Sequence, residues 1–243
     1  AWESLRTELR AISSLAHPNV VRLLDHGRVG RSAEELSGGR IHRDSPYLAL
    51  EYVPGGVLTP WIGRLSWTAA RNVLEDVLAA LAHAHAHRVL HLDLKPENIL
   101  LVDSAGPLAG VKLVDFGLAL LRSSSREVLA GTPHFMAPEQ IQRHAEYGPW
   151  TDLYAVGCLA WALVTGKPVF EGDDHDAIAR RHAFEILPPF EPTVQVPPRF
   201  EGWVRSLLGK RPSDRPDRAS QARASLLALE AAPPRRSFSS RGP

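Results

Sequence analysis

Apolar residues recur at helical spacing in three long stretches of the chain, and each stretch predicts an α-helix. The first helix covers residues 3–16 and ends at a His-Pro pair, because a proline disfavours helical backbone at the residue before it. The second covers residues 66–87, with a serine cap at its start and an apolar stripe along one side. The third, residues 151–165, is apolar almost throughout and is followed by a glycine. Shorter helices are predicted at three further places: residues 173–184, residues 200–208 and a last helix that ends near Leu229.

Short runs of β-branched and other apolar residues predict strands between these helices. They cover residues 20–24, 47–53, 99–102 and 111–114. Residues 27–45, between the first two runs, are rich in glycine, serine and arginine, which is typical of a surface loop. A chain of 243 residues with this pattern suits one large domain or two lobes.

A polar run lies between two strand-like apolar segments of the chain. It reads His-Leu-Asp-Leu-Lys-Pro-Glu-Asn over residues 91–98, after the apolar pair at residues 89–90. A loop fixed between rigid elements is where proteins usually place chemistry. Asp115-Phe116-Gly117 follows the next apolar run, and Ala137-Pro138-Glu139 comes later. One triplet alone is a weak signal, whereas the loop and two ordered triplets together form a specific one.

These three motifs, in this order, resemble the catalytic core of eukaryotic-type serine/threonine protein kinases in their bacterial-like form. The resemblance implies an α+β, protein-kinase-like fold with a truncated small lobe and a mainly helical large lobe. Residues 1–53 would form the partial small lobe, with the family's αC helix, its fourth and fifth strands, and the hinge. Residues 54–230 would form the large lobe. Residues 231–243, with their proline, arginine and serine, are predicted to be a disordered tail.

The resemblance also implies roles for the residues of the motifs. Asp93 would accept a hydrogen bond and then the proton of the substrate hydroxyl, and Lys95 would neutralise the γ-phosphate of ATP. Asn98 and Asp115 would bind Mg²⁺, a hard cation that prefers oxygen ligands. Thr132 would lie in the loop that docks a protein substrate with serine or threonine. Each of these residues has an alternative interpretation as a solvated polar group of a loop.

A second group of residues would bind the nucleotide, again by resemblance. Leu50 matches the gatekeeper position, and the backbone groups of Glu51 and Val53 would contact adenine. Leu100 would form the apolar floor beneath it. Glu8, on the helix over residues 3–16, matches the glutamate that pairs with the family's strand-3 lysine. It could equally be a solvated glutamate on the face of that helix.

The resemblance also implies that two buried residues, Asp152 and Arg215, support this core. Asp152 would hold the backbone of the polar loop, although taken alone it could be an ordinary acid at a helix N-terminus. Arg215 would pair with Glu139. Cys158 lies in an apolar segment and is predicted to be a buried, inert thiol.

The chain departs from the family pattern in two respects. Leu92 occupies the position of the arginine that normally receives a phosphate of the activation loop. The glycine-rich loop and the strand-3 lysine have no counterpart, since no lysine precedes Lys95, and the only methionine is Met136. We therefore expect a kinase that is part of a longer chain with regulatory domains fused outside this segment. The alternative is a catalytically impaired, kinase-like binding or regulatory module.

Composition and net charge limit the partners and the cellular location that we expect for the protein. A net charge of +1 gives no charge-based case for nucleic acid or an anionic membrane as a partner. No apolar run approaches the roughly 18–20 residues of a membrane span. A single cysteine excludes an internal disulfide and fits a reducing compartment, so a cytoplasmic location is predicted.

Overall fold

The computed structural model describes residues 13–103, 109–116, 133–142, 146–172 and 174–231. The helices in these residues are α1 (Arg31–Leu36), α2 (Trp67–Ala86), α3 (Pro138–Ile141), α4 (Pro149–Thr165), α5 (His175–Phe184), α6 (Phe200–Leu207) and α7 (Ala219–Ala231). The strands are β1 (Leu23–Arg28), β2 (Pro46–Leu50), β3 (Ile99–Leu101) and β4 (Val111–Leu113). The α+β class predicted from the sequence is confirmed.

Two small antiparallel sheets are joined by the segment that leads into β1. In one sheet β1 pairs with β2, and in the other β3 pairs with β4. Val20 forms a parallel bridge with Leu113, and the side-chain amide of Asn19 donates to the Val111 carbonyl at 2.9 Å. The first sheet is therefore tied to β4, the strand that leads into Asp115.

Helix α4 is the centre of the core. Every residue from Thr151 to Thr165 is buried, which fits a sequence that is apolar around the whole helix. The helix ends at Gly166, whose φ of 74° is the left-handed conformation that glycine adopts readily. Helix α2 packs against α4, α7 and β4. The oxygen of Ser66 accepts the amide of Ala69 at the start of α2, so the predicted cap is confirmed.

The first strand was predicted over residues 20–24, and this position is wrong. Strand β1 begins at Leu23 and continues to Arg28, because the backbone of Val21 instead donates to the Leu113 carbonyl at 2.8 Å. The register of β1 is set by its pairing with β2, from Leu23 opposite Leu50 to Arg28 opposite Pro46. The local pattern of apolar residues contains no information about that pairing.

Three further boundaries differ from the predictions. The loop predicted over residues 27–45 contains helix α1, in which Arg31 Nε lies 2.9 Å from Glu35 Oε1 one turn away. The strand predicted over residues 47–53 ends at Leu50. The apolar pair at residues 89–90 forms no strand, and only the segment after the polar loop does.

Several predictions fall on parts of the chain outside the described residues. They include most of the helix predicted over residues 3–16, and residues 232–243 of the predicted tail. Helix α7 extends to Ala231, the first residue assigned to that tail.

Cys158 is buried, as predicted. Across residues 13–103 and the other described ranges, no helix has the length and hydrophobicity of a membrane span.

His182 on α5 is a buried imidazole in the large helical region, which consists of the packed helices α2 and α4 to α7. Its Nδ1 lies 2.9 Å from the hydroxyl oxygen of Tyr154, and the ring of Phe170 stands edge-on to it at 5.0 Å between centroids. Burial, and after it the positive charge of Lys210, lower the pKa of His182 from its usual 6.5 to about 3. The folded protein therefore keeps this imidazole neutral at pH values where an unfolded chain protonates it.

This difference predicts a loss of stability in acid. The unfolded state binds more protons than the folded state below pH 6.5, so the free energy of unfolding falls as the pH falls. For His182 the loss between pH 7 and pH 5 is about 2 kcal/mol. We expect the free energy of unfolding of His182→Gln, measured with urea, to fall less between pH 7 and pH 5 than that of the wild type. The difference between the two falls should be about this amount.

The matched control for this experiment is His175→Gln, on the same helix but with an exposed side chain. Its free energy of unfolding should fall between pH 7 and pH 5 by as much as that of the wild type. An equal loss of stability in His182→Gln and in the wild type would contradict the assignment of this titration to His182.

Candidate active site

The polar loop at residues 91–98 brings three of its predicted functional side chains together. Lys95 Nζ lies 2.8 Å and 3.0 Å from the two carboxylate oxygens of Asp93. The side-chain amide of Asn98 donates to the Asp93 carbonyl at 2.8 Å and to its carboxylate at 3.1 Å. The Asp93 side chain is 21% exposed, so it stays accessible at the surface while its orientation is fixed. An ordered, accessible carboxylate of this kind can accept a proton.

Asp152, at the start of α4, holds the backbone of this loop. One carboxylate oxygen accepts the amide of Leu92 at 2.8 Å, and the other accepts the amide of His91 at 2.9 Å. Leu92 has a φ of 62°, a conformation that branched residues adopt at a steric cost. The two hydrogen bonds stabilise that conformation. The predicted anchoring role of Asp152 is confirmed.

The Asp152 carboxylate is fully buried and would be unstable as an anion without partners. Burial alone raises the pKa of Asp152, but the hydrogen bonds with the His85 side chain and the His91 amide outweigh it. The net result is a pKa of Asp152 below its usual value. His85 Nε2 lies 2.8 Å from Asp152 Oδ2, on the oxygen that also accepts the His91 amide. The buried carboxylate is therefore ionised and saturated with donors.

His91 is the second buried support of the loop. Its ring lies 4.7 Å from the ring of Phe116, measured between centroids, and its Nδ1 accepts the amide of Asp93 at 3.4 Å. Burial lowers the pKa of His91, so the imidazole is neutral and can act as an acceptor. The packing links the loop to the Asp115-Phe116 segment.

Asp115 approaches the loop from the end of β4. The amide of Val114 donates to the Asn98 carbonyl at 3.1 Å, which brings the end of this strand beside the loop. Asp115 has a φ of 65°, so its backbone is turned at this point. Both hydrogen-bond contacts of the Asn98 amide group are made by Nδ2, and its Oδ1 accepts none from the described residues. An amide oxygen and a carboxylate are suitable ligands for Mg²⁺.

The predicted adenine-binding residues lie on β2, on β3 and in the segment after β2 that is predicted to be the hinge. Leu100 lies on β3, and its neighbours along the chain are joined to residues 55–58 by backbone hydrogen bonds. Within the described part of the chain, the Glu51 carbonyl and the Val53 amide take part in no hydrogen bond. Leu50 is 37% exposed at the end of β2. These backbone groups thus have unused hydrogen-bonding capacity among the described residues, beside a partly exposed leucine.

The side chain of Glu51 has a separate function in the fold. It lies 2.9 Å from Lys112 Nζ and accepts the amide of Arg22 at 3.2 Å. The hydrogen bond from Lys112 lowers the pKa of Glu51. The ion pair connects the end of β2 to β4, three residues before Asp115.

Helix α3 carries the predicted Glu139–Arg215 pair, and this prediction is confirmed. Arg215 donates to the two oxygens of Glu139 at 2.7 Å and 2.9 Å, and both side chains are buried. The next residue, Gln140, donates from Nε2 to the Leu92 carbonyl at 2.8 Å. Helix α3 is thus fixed to the large helical region on one side and to the polar loop on the other.

Two predicted site residues, Glu8 and Thr132, lie outside the described residues, as does Gly117 of the Asp-Phe-Gly motif. Their assignments stay predictions.

Sequence reasoning missed the contacts of Lys112 and Gln140. Lys112 carries no signal, because any exposed strand position can hold a lysine. Gln140 carried a partial one, since a glutamine at the third helical position often bonds back to the residue that precedes the helix. The amide of Ala137 does donate to Gln140 Oε1 at 3.0 Å. The further contact with Leu92 spans 48 positions and has no local signature.

Comparisons with known proteins identify the family of the chain. The family model of the protein kinase domain matches residues 1–226. The chain is 33% identical over 237 residues to the serine/threonine-protein kinase pkn3 of Myxococcus xanthus. The matched region covers 92% of this chain and 41% of that protein. The chain is 34% identical over 218 residues to PknL of Mycobacterium tuberculosis, covering 86% of this chain and 50% of that protein.

A third relative is the serine/threonine-protein kinase PrkC of Bacillus subtilis, 31% identical over 229 residues, with 91% of this chain and 33% of that protein covered. The chain spans half or less of the length of these curated relatives. The matching family model and the relatives together show that the chain belongs to the protein kinase domain family, in its bacterial serine/threonine-kinase form.

Proposed function

We propose that this chain carries the catalytic site of a protein serine/threonine kinase, which transfers the γ-phosphoryl group of ATP to a serine or threonine hydroxyl of a protein. The observation that supports it best is the Asp93 carboxylate, oriented by Lys95 and Asn98 on a backbone that Asp152 fixes. Phosphoryl transfer depends on positioning and charge stabilisation more than on covalent chemistry of the protein. An ordered carboxylate in an anchored loop meets the first of these needs.

Asp93 would act on the substrate hydroxyl. Its carboxylate accepts a hydrogen bond from the hydroxyl and receives the proton as the oxygen bonds to the γ-phosphorus. The bond between that phosphorus and the bridging oxygen breaks, and ADP leaves with the electron pair. Lys95, already within 3 Å of Asp93, is close enough to bring positive charge to the transferred group.

Asn98 and Asp115 would hold Mg²⁺ through the amide oxygen and the carboxylate, which fit a hard cation. When bound with ATP, the ion neutralises charge that develops on the phosphate oxygens. The hydrogen bonds from the Asn98 amide nitrogen to Asp93 keep the amide oxygen directed away from that residue. One loop thus orients both the proton acceptor and a metal ligand.

The nucleotide base would lie at the hinge. The Glu51 carbonyl can accept a hydrogen bond from adenine and the Val53 amide can donate one, while Leu50 and Leu100 supply apolar surface. The roles of Glu8 and Thr132, and the division into a small lobe at residues 1–53 and a large lobe at residues 54–230, belong to the same proposal. They rest on the resemblance to the family.

Transfer of labelled phosphate from millimolar Mg-ATP to a serine/threonine peptide library tests the proposal. We expect label on serine and threonine, and a loss of about 10²–10⁴-fold in rate for Asp93→Asn, which removes the proton acceptor. Asp115→Asn should lose transfer and also weaken Mg-ADP binding in a thermal-shift assay. Asp93→Asn should keep that binding, because its carboxylate acts on the hydroxyl.

Asp176→Asn is the control, since it removes one negative charge from an exposed position on α5. It should retain the transfer rate of the wild type. Absence of labelled peptide with the wild type, or equal labelling by Asp93→Asn and Asp176→Asn, would count against a kinase. It would favour a kinase-like binding module.

Leu92 yields a prediction about regulation. It is apolar and buried, and both its backbone groups are hydrogen-bonded, so it has no group that binds phosphate. We expect treatment with a phosphatase, verified by mass spectrometry, to change the transfer rate by less than about twofold. A mock-treated sample is the control. A loss of more than about tenfold would show that a phosphate on the protein does gate the site.

A further inference from the structure

Leu92 is held by side-chain hydrogen bonds to the peptide groups on both of its sides. The amide of Leu92 donates to Asp152 Oδ1 at 2.8 Å, and the carbonyl of Leu92 accepts from Gln140 Nε2 at 2.8 Å. Leu92 has a φ of 62°, and a non-glycine residue keeps such a conformation only when its surroundings enforce it. Asp152 restrains the N-terminal side of this residue, and Gln140 restrains the side that leads directly to Asp93.

The orientation of the Gln140 amide follows from its two partners. The Ala137 backbone amide is a donor and lies 3.0 Å from Oε1, whereas the Leu92 carbonyl is an acceptor and lies 2.8 Å from Nε2. A flipped amide would set donor against donor and acceptor against acceptor. Only one orientation of the Gln140 amide satisfies both contacts, so the side chain is fixed.

Gln140 itself stands on a rigid support. It follows Glu139, whose carboxylate forms two hydrogen bonds with Arg215. Arg215 also donates to the carbonyls of Gly209 and Trp150, at 2.7 Å and 3.0 Å. The position of Gln140 is thus determined by buried contacts of its neighbour in the large helical region. A single hydrogen bond, from the Gln140 side chain to the Leu92 carbonyl, connects this support to the catalytic loop.

We propose that Gln140 is a positioning residue for phosphoryl transfer, which holds the Leu92 carbonyl and thereby sets the direction of the Asp93 carboxylate. This inference rests on the proposed kinase function. Its physical content is independent of catalysis, because the hydrogen bond restrains the backbone of residues 91–94 whether or not a substrate is bound. Gln140 supplements Asp152, and the two side chains together restrain both ends of the Leu92 residue.

The test uses the 243-residue chain with Gln140→Glu. The carboxylate keeps an acceptor for the Ala137 amide, but it has no donor for the Leu92 carbonyl and sets two negative oxygens against each other. We expect kcat to fall about tenfold or more, with the KM for ATP changed by less than about twofold, because the interaction acts on the reacting geometry. Hydrogen exchange of a peptide over residues 90–94 should be faster by a similar factor.

Gln142→Glu is the matched control, with the same change of charge at an exposed position two residues along. It should leave kcat, the KM and the exchange of residues 90–94 at wild-type values. Gln140→Met is a second variant of similar length, which removes the hydrogen bond without adding charge. If Gln140→Glu fails to fold, Gln140→Met should still show the faster exchange.

The two readouts separate this inference from the kinase proposal. If the wild type transfers no phosphate, the proposed function fails, and the exchange of residues 90–94 still decides the role of Gln140 in the loop. Faster exchange in both Gln140 variants supports the restraint. Exchange and kcat equal to those of Gln142→Glu would overturn it. A fall of kcat matched by a rise of the KM for ATP, with unchanged exchange, would also overturn it.

Discussion

The arrangement of the candidate active site depends on one buried carboxylate. Asp152 lies at the start of the most deeply buried helix, and its oxygens accept the amides of His91 and Leu92. A buried anion is costly unless donors surround it, and here His85 and the two amides supply them. The left-handed turn at Leu92 costs about 1–2 kcal/mol for a residue with a side chain. Two charge-assisted hydrogen bonds, each worth about 1.5–3 kcal/mol, are sufficient to offset that cost.

A second buried anchor fixes the segment opposite the loop. The Glu139–Arg215 pair is inaccessible to solvent and bidentate, so its geometry is specified more strictly than that of an exposed ion pair. Gln140 transmits this geometry to the loop. The Asp93 carboxylate is thus oriented by contacts that come from α4 and α3, and neither helix touches the substrate hydroxyl in the proposed reaction.

Much of the fold could be predicted from the sequence where a local rule determines the result. Helix α2 has a serine cap and an apolar stripe, and α4 is apolar on all sides and ends at a glycine, so periodicity and capping identified both helices. The anchors Asp152 and Arg215 were identified through the motifs that they support. Strand β1 was misplaced because its start depends on distant partners, Leu113 and Leu50. Helix α1 was missed because a short polar helix has no apolar stripe.

The contacts of the candidate site also fall into those that local sequence predicts and those that it does not. Asp93, Lys95 and Asn98 are close in sequence, so their meeting follows from the spacing of one loop. The Lys112–Glu51 pair and the Gln140–Leu92 hydrogen bond join residues more than 40 positions apart, and only the folded chain brings them together.

The conformation of the loop at residues 91–98 depends above all on Asp152. The hydrogen exchange of the Leu92 and His91 amides, resolved by NMR, in the wild type and in Asp152→Asn measures this dependence most directly. Asparagine keeps one acceptor oxygen and directs an NH₂ group at the second amide. We expect at least one of the two amides to exchange faster by about tenfold or more, with wild-type exchange in α7. Unchanged exchange of both amides in a folded Asp152→Asn protein would contradict this role of Asp152.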